Sequence, residues 1–207
     1  MAGIGDDIKD VLQELGKEVN VYRHTTGEFL TVESIDTEGG VKDTTPFEST
    51  HMTSFMATYE TSIEVGDRLD FTATSESHLV GVMVSDLFEN AVYAKEGVLY
   101  KCNTEVDAYR RSGETRDPQS YELVPNWEPV FSGELGLFSG RLSDHDIADE
   151  RYGRFYQSSR KLFISNDLDL QIEDRCVIDD ERYSVETMET HRLPGLKICG
   201  LAEDNRE

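Results

Sequence analysis

The sequence predicts a mainly β protein, a barrel or sandwich of antiparallel strands, with one helix at its N-terminus. Three observations carry this. Beyond residue 17 apolar residues recur with a period of two, in short runs of strand length. Clusters of Gly, Pro, Asn and Asp punctuate those runs at turn spacing. A helical period is clear only at Ile4, Ile8, Val11, Leu12 and Leu15, which form one apolar stripe. Runs and turns together predict about 10–13 strands.

In chain order, Asp6 and Asp7 occupy the first helical turn, where the macrodipole favours anions, and Gly16 is placed to end the helix. Val19 and Val21 then alternate with polar residues up to His24. A turn at Thr25-Thr26-Gly27 leads into Phe29–Ile35, which predicts a hairpin. Residues 36–50, with Gly39-Gly40 and Pro46, are expected to be a polar loop. Strands are predicted through 52–64, after the Val65-Gly66-Asp67 turn at 69–73, and at 78–84. A further apolar stretch, 91–103, is expected to break at Glu96-Gly97. Residues 105–120 are either a mobile loop or the extended tip of a hairpin. Residues 121–140, with two prolines and three glycines, suggest an irregular linker with a short edge strand, and Ser143 is placed to cap a short helix up to 155. Strands at 161–165, 174–178, 182–190 and 196–201 follow, separated at Asp179-Asp180 and Leu193-Pro194-Gly195, and the last six residues are expected to fray.

The expected division is a helix over 1–17, a first β module over 18–120 with long polar loops, a linker over 121–155, and C-terminal strands over 156–207 that complete a barrel. Ile63–Asp70 echoes Leu170–Val177: in both, an apolar-x-apolar pair leads into x-Asp-Arg and then a strand. Two related β modules are one reading of that echo.

Charge is the strongest compositional fact. Forty-two acids against 20 Lys and Arg give −22 over 207 residues, and between His24 and Ala94 there are 13 acids and two cations, Lys42 and Arg68. A phosphate binder needs clustered cations, so tight nucleic-acid binding and binding to an anionic membrane are both disfavoured. General solubility and adaptation to high salt (only seven residues are lysine) are the competing readings of the acidity. No apolar run approaches the ~18 residues of a membrane helix. The first residues lack the basic and apolar regions of a secretory signal. Cys102, Cys176 and Cys199 cannot all pair and have no metal spacing, so neither a disulfide framework nor a zinc site is expected.

Motifs for catalysis are missing: there is no Walker A loop, nucleophile elbow, zincin helix or dinucleotide fingerprint. Gly133, Gly136 and Gly140 are expected to punctuate a loop. Asp144–Glu150 has the oxygen donors of a Ca²⁺ or Mg²⁺ site, with a solvated acidic helix end as the plainer reading. Asn166-Asp167-Leu168-Asp169 begins like an EF-hand loop but lacks its glycine. Cys102 and Cys199 are expected to be small buried residues. Paired carboxylates for glycoside hydrolysis have no aromatic-lined cleft beside them. No enzyme activity and no cofactor are expected. Trp127, Tyr121 and Phe131 form the one aromatic cluster that a carbohydrate-binding sandwich would use.

Asp174-Arg175-Cys176-Val177-Ile178-Asp179-Asp180-Glu181-Arg182-Tyr183-Ser184-Val185-Glu186-Thr187, closed by Pro194-Gly195-Leu196-Lys197-Ile198, resembles small tailed-bacteriophage connector proteins. In these a G-D-R, strand, tight turn, x-Tyr-x-Val, Pro-Gly, strand pattern builds a compact β-barrel. Glu173 departs from that pattern where glycine is usual, which speaks against a tight turn there. Val65–Phe71 with His78–Val82 is similar in kind, and Glu89–Asn103 looks like neck and head-completion sequences. The resemblance spans about 90 residues in separated pieces. It implies a head-closure (stopper) or head–tail adaptor protein of the virion, assembled in the host cytoplasm as a homo-oligomeric ring. Such a ring would meet the portal or adaptor protein and the tail terminator, and DNA would pass through it without tight binding. A tail terminator or tail-tube protein is the nearest alternative. Residues 36–50, 105–120 and the helix are the candidate arms between neighbours, and Glu64, Asp67, Asp70 and Glu76 the candidate acidic positions facing the channel.

Overall fold

The computed structural model describes residues 4–38, 51–88, 91–116, 118, 119, 121, 123–139 and 160–206. One helix, α1 (Ile4–Leu15), precedes twelve strands. The first six are β1 (Lys17–Tyr22), β2 (Phe29–Glu38), β3 (Met52–Thr58), β4 (Arg68–Phe71), β5 (Ser77–Phe88) and β6 (Ala91–Lys101). The second six are β7 (Thr104–Arg116), β8 (Leu123–Ser139), β9 (Arg160–Ser165), β10 (Arg175–Ile178), β11 (Glu181–Glu189) and β12 (Leu196–Glu203). The mainly β, antiparallel class with one N-terminal helix is what the alternation predicts.

Each set of six closes into a barrel, in the order β1-β2-β3-β6-β5-β4 and β7-β8-β9-β12-β11-β10. These are the same order shifted by six strands: a three-stranded meander, a crossover, and a second meander. The antiparallel pairs β1·β4 and β7·β10 close them. The chain divides into two compact units, one of Met1–Cys102 with Ser165–Asp167 and Thr190–Leu196, the other holding the rest. The boundary therefore falls at Cys102/Asn103 rather than near 120.

The cores match position by position. Val19, Val21, Phe55, Ala57, Ile63, Leu69, Phe71, Val80 and Leu99 of the first barrel correspond to Val106, Ala108, Leu162, Ile164, Leu170, Cys176, Ile178, Val185 and Leu201 of the second. A register shift recurs too, between Val80 and Val82 in β5 and between Val185 and Thr187 in β11.

The crossover into β4 turns a sharp corner on a buried carboxylate. Asp67, with no exposed surface, accepts the backbone N–H of His24 (3.0 Å) and that of Glu64 (2.9 Å), and Arg23 lies 3.3 Å away. Asp174, in the equivalent corner, accepts the Gln171 backbone N–H (2.8 Å) and a two-pronged pair of bonds from Arg110 (2.9 and 3.0 Å). The backbone bonds repeat as well: Gly66 to Val80 and Val80 to Asp67 in one, Glu173 to Val185 and Val185 to Asp174 in the other. Gly66 has φ +93° and Glu173 φ +74°. The tight turn thus forms at Glu173 without glycine, because the corner's hydrogen bonds hold a conformation that costs a side chain about 1–2 kcal/mol.

Four further expectations are corrected. Glu96-Gly97 is not a turn but lies inside β6, where a Cβ on Gly97 would come within 2.5 Å of the Phe55 ring; the glycine makes room for a core side chain. Residues 123–139, expected within an irregular linker, are the 17-residue strand β8. Pro125 and Pro129 are tolerated because β9 pairs with β8 only at Leu137–Ser139, which leaves the outer edge of the preceding residues without a neighbouring strand. The 105–120 stretch is largely β7, the hairpin alternative. The C-terminus is tied down at Asp204 and Arg206, as described below. Residues 39–50 and 140–159 lie outside the described residues, and with them the loop beyond Glu38, the Asp144–Glu150 cluster and the Ser143-capped helix.

α1 packs on β2, β3 and β6, with Leu12 its one buried side chain. Lys9 pairs with Glu60 (2.5 Å), while Val11 and Leu15 are more than half exposed. Deleting residues 1–16 should therefore keep the β circular-dichroism spectrum and lower stability by only about 2–3 kcal/mol, the worth of one buried leucine. Loss of the spectrum would place the helix in the core. Asp67→Ala and Asp174→Ala should each cost about 3–5 kcal/mol in urea unfolding, since each strands a guanidinium and at least one backbone N–H.

Candidate functional site

The four candidate channel positions occupy different environments. Asp67 cannot line a channel: it is completely buried, and its oxygens are taken by two backbone N–H groups, Arg23 and the His24 ring (Nδ1 at 2.9 Å). This corrects its assignment; the x-Asp-Arg signal marked a structural corner. Glu64, Asp70 and Glu76 are at least partly accessible, and each carries a cation. Glu64 pairs with Arg23, Asp70 with Arg68 (3.2 Å) and Glu76 with Lys101 (2.5 Å). The Lys101 hydrogen bond holds the Glu76 carboxyl below the usual carboxylate range.

Several other polar groups singled out in the sequence have structural partners. Asp167 meets His24 Nε2 at 2.9 Å, and Asp169 accepts from Arg110 at 2.9 Å, so the EF-hand-like stretch supplies ion-pair partners. Among the described residues no group of three His, Cys, Asp or Glu could hold a metal ion. Burial pushes the Cys102 and Cys199 thiols up to about 12 and raises Cys176 as well, so none is a thiolate at neutral pH.

The most distinctive surface feature is the β7–β8 hairpin. β10 pairs with β7 only at Asp107–Tyr109, and β9 with β8 only at Leu137–Ser139. From Arg110 to Arg116 and from Leu123 to Glu128 the two strands pair only with each other, as a projecting ribbon. Its base is pinned by Arg110 on Asp174 and by Trp127, whose ring lies under the Arg175 guanidinium (3.8 Å) and near that of Arg206 (5.1 Å). Arg175 and Arg206 both bond Asp204, each at 2.7 Å, and Arg206 also reaches the Glu173 carbonyl and Ser184. A sugar platform needs an open aromatic face, and a guanidinium stacks on that of Trp127.

Sequence reading missed the partner of each corner aspartate. Glu18-Val19-Asn20-Val21-Tyr22-Arg23 recurs as Glu105-Val106-Asp107-Ala108-Tyr109-Arg110, with four identities in six, and its terminal arginine meets the corner carboxylate in both barrels. That repeat was the available signal.

Two groups set the acid response. Burial drives His78 down to about 4, against 6.5 unfolded, so the stability of its neutral form is full above pH 6.5 and lost as pH falls toward 4, by about 3 kcal/mol. Tyr183 holds the equivalent place in the second barrel, and His78→Tyr should flatten that loss in urea titrations between pH 7 and 4. For Asp204, burial opposes ionisation but the Arg206 and Arg175 hydrogen bonds outweigh it and hold the carboxyl at about 2. Its contribution, about 2 kcal/mol, is present above pH 4 and lost as pH falls through 2, and Asp204→Asn should remove that step. No family model, no curated protein and no solved structure matches the chain.

Proposed function

We propose that the chain is a structural protein of a tailed-phage neck, a head-closure or head–tail adaptor subunit. In this reading it assembles as a homo-oligomeric ring in the virion, between the portal side and the tail terminator, and DNA passes without being held. The observation that carries the proposal is where the connector-like residues fall. Asp174–Thr187 forms the corner, β10 and β11, the Asp179-Asp180 turn has positive φ at both residues, and Leu196–Ile198 opens β12 of a closed barrel. That is the architecture the connector pattern specifies. The projecting ribbon and the half-exposed stripe of α1 supply the arms that subunits of a ring need.

Glu64, Asp70 and Glu76 remain the channel-facing positions, and Asp67 is withdrawn. Their ion-pair partners weaken the local field, so the repulsion of phosphate rests on the overall excess of acids rather than on these three alone.

Removing the chain from a virus that encodes it should leave heads and tails unjoined, with heads that lose their DNA. Electron microscopy showing joined, DNA-filled particles would overturn the proposal. In assembled particles, replacing Glu64, Asp70 and Glu76 together by Lys should slow DNA release several-fold; an unchanged rate would remove these residues from the channel.

A further inference from the structure

We propose that the tip of the β7–β8 ribbon of one copy docks on the outer face of the first barrel of a second copy. This rests on the self-assembly part of the reading above and not on the virion part.

The ribbon is unsupported where it projects. Residues Arg111–Arg116 are exposed throughout, and at the far end Tyr121 and Leu123 are 72% and 60% exposed. An isolated two-stranded ribbon is only marginally stable in water, and open apolar side chains at its tip mark a surface that another surface covers. Arg116 stands directly opposite Leu123 in the register, so one ribbon face presents a cation beside an apolar side chain.

The complementary surface is a pocket of about 350 Å³ on β2, β3, β5 and β6. Met56, Val82, Val84 and Val98 supply its apolar lining, and Asp36 and Glu96 its carboxylates. The register places Asp36, Met56, Glu96 and Val84 in one row across the four strands. The two carboxylates therefore flank an apolar centre, with their strands roughly 10 Å apart. Val84 is 58% exposed. The pocket is lined by first-barrel residues only, and both surfaces are open in the single chain, so the occupant is another copy.

Charge selects the same partner. The net charge is −22, with 13 acids against two cations between His24 and Ala94, whereas the ribbon strand β7 carries Arg110, Arg111 and Arg116. Leu123 fills the apolar centre while Arg116 meets Asp36 or Glu96. A tip-to-barrel contact joins unlike surfaces, so it propagates head to tail and closes into a ring wherever the rotation permits.

Two single variants, Val84→Cys and Leu123→Cys, test this in the full chain. They are mixed at about 0.15 M salt, where the Debye length is about 8 Å, and treated with a short bismaleimide, with the wild-type chain as the blank for its native thiols. The mixture should give cross-linked dimer at least about five-fold above either variant alone. Adding Arg116→Glu to the Leu123→Cys chain should cut that yield several-fold, and Glu96→Arg in the Val84→Cys chain should restore it. A mixed yield no greater than the single variants, with both variants folded by circular dichroism, overturns the proposal. So does a yield indifferent to Arg116→Glu. Rings seen by negative stain without the cross-link would reject this contact and leave the neck reading standing. The cross-link in a protein that joins no particle would do the reverse.

Discussion

Each barrel depends on one buried carboxylate. The crossover between the two meanders must bring β4 beside β1, and β10 beside β7, to close the sheet. A chain turning that sharply leaves backbone N–H groups facing inward, where an unpaired donor costs about 1–3 kcal/mol. Asp67 and Asp174 accept those donors and at the same time hold an arginine carried by the opposing strand or by the turn that follows it. One side chain thus satisfies the corner and fastens the closing edge. A buried ion pair is weak evidence for stability by itself; its value here is geometric, because the pair fixes which strands meet.

The two copies of the corner solve the remaining charge differently. In the first barrel the arginine after the aspartate, Arg68, stacks on Tyr22 of the neighbouring strand (4.2 Å) and pairs with Asp70. In the second, Arg175 is buried, bonds Asp204 and stacks on Trp127. The chain end that composition marks as frayed is therefore a wedge in the second barrel. Its polar residues are there to neutralise a buried guanidinium, a role that hydropathy does not reveal.

Much of the fold was legible from periodicity: the helix stripe, the first hairpin, and the last strands with their Asp-Asp turn. The site was less so. Asp67 looked like a surface acid because residue type alone carries no burial, and only Arg23, 44 positions earlier in the chain, explains how its charge is accommodated. The Ile63–Asp70 echo pointed to the repeat but covered one corner; with Glu18–Arg23 and Glu105–Arg110 beside it, the duplication of strand order follows. β8 was hidden for a different reason. Proline and glycine mark breaks in a strand paired on both sides, whereas much of β8 is paired on one side only, so the same residues fit within it.

A scaffold built twice shows where its specialised parts lie. Nine core positions correspond between the barrels, as do the corner bonds and the register shift, so these are requirements of closure and serve any function equally. The differences lie outside them. Only the first barrel carries α1 packed on its strands, and only the second has first strands of 13 and 17 residues where its counterpart has 6 and 10. The extra length runs past the closed sheet, where it adds nothing to either core and exposes apolar side chains to water. Stability alone gives no reason to keep such an extension. Its base, in contrast, is pinned by an ion pair and a stacked guanidinium, which fixes its direction. An arm held rigidly at the root and left bare at the tip is arranged for contact with something beyond its own barrel, and that property belongs to the second copy alone.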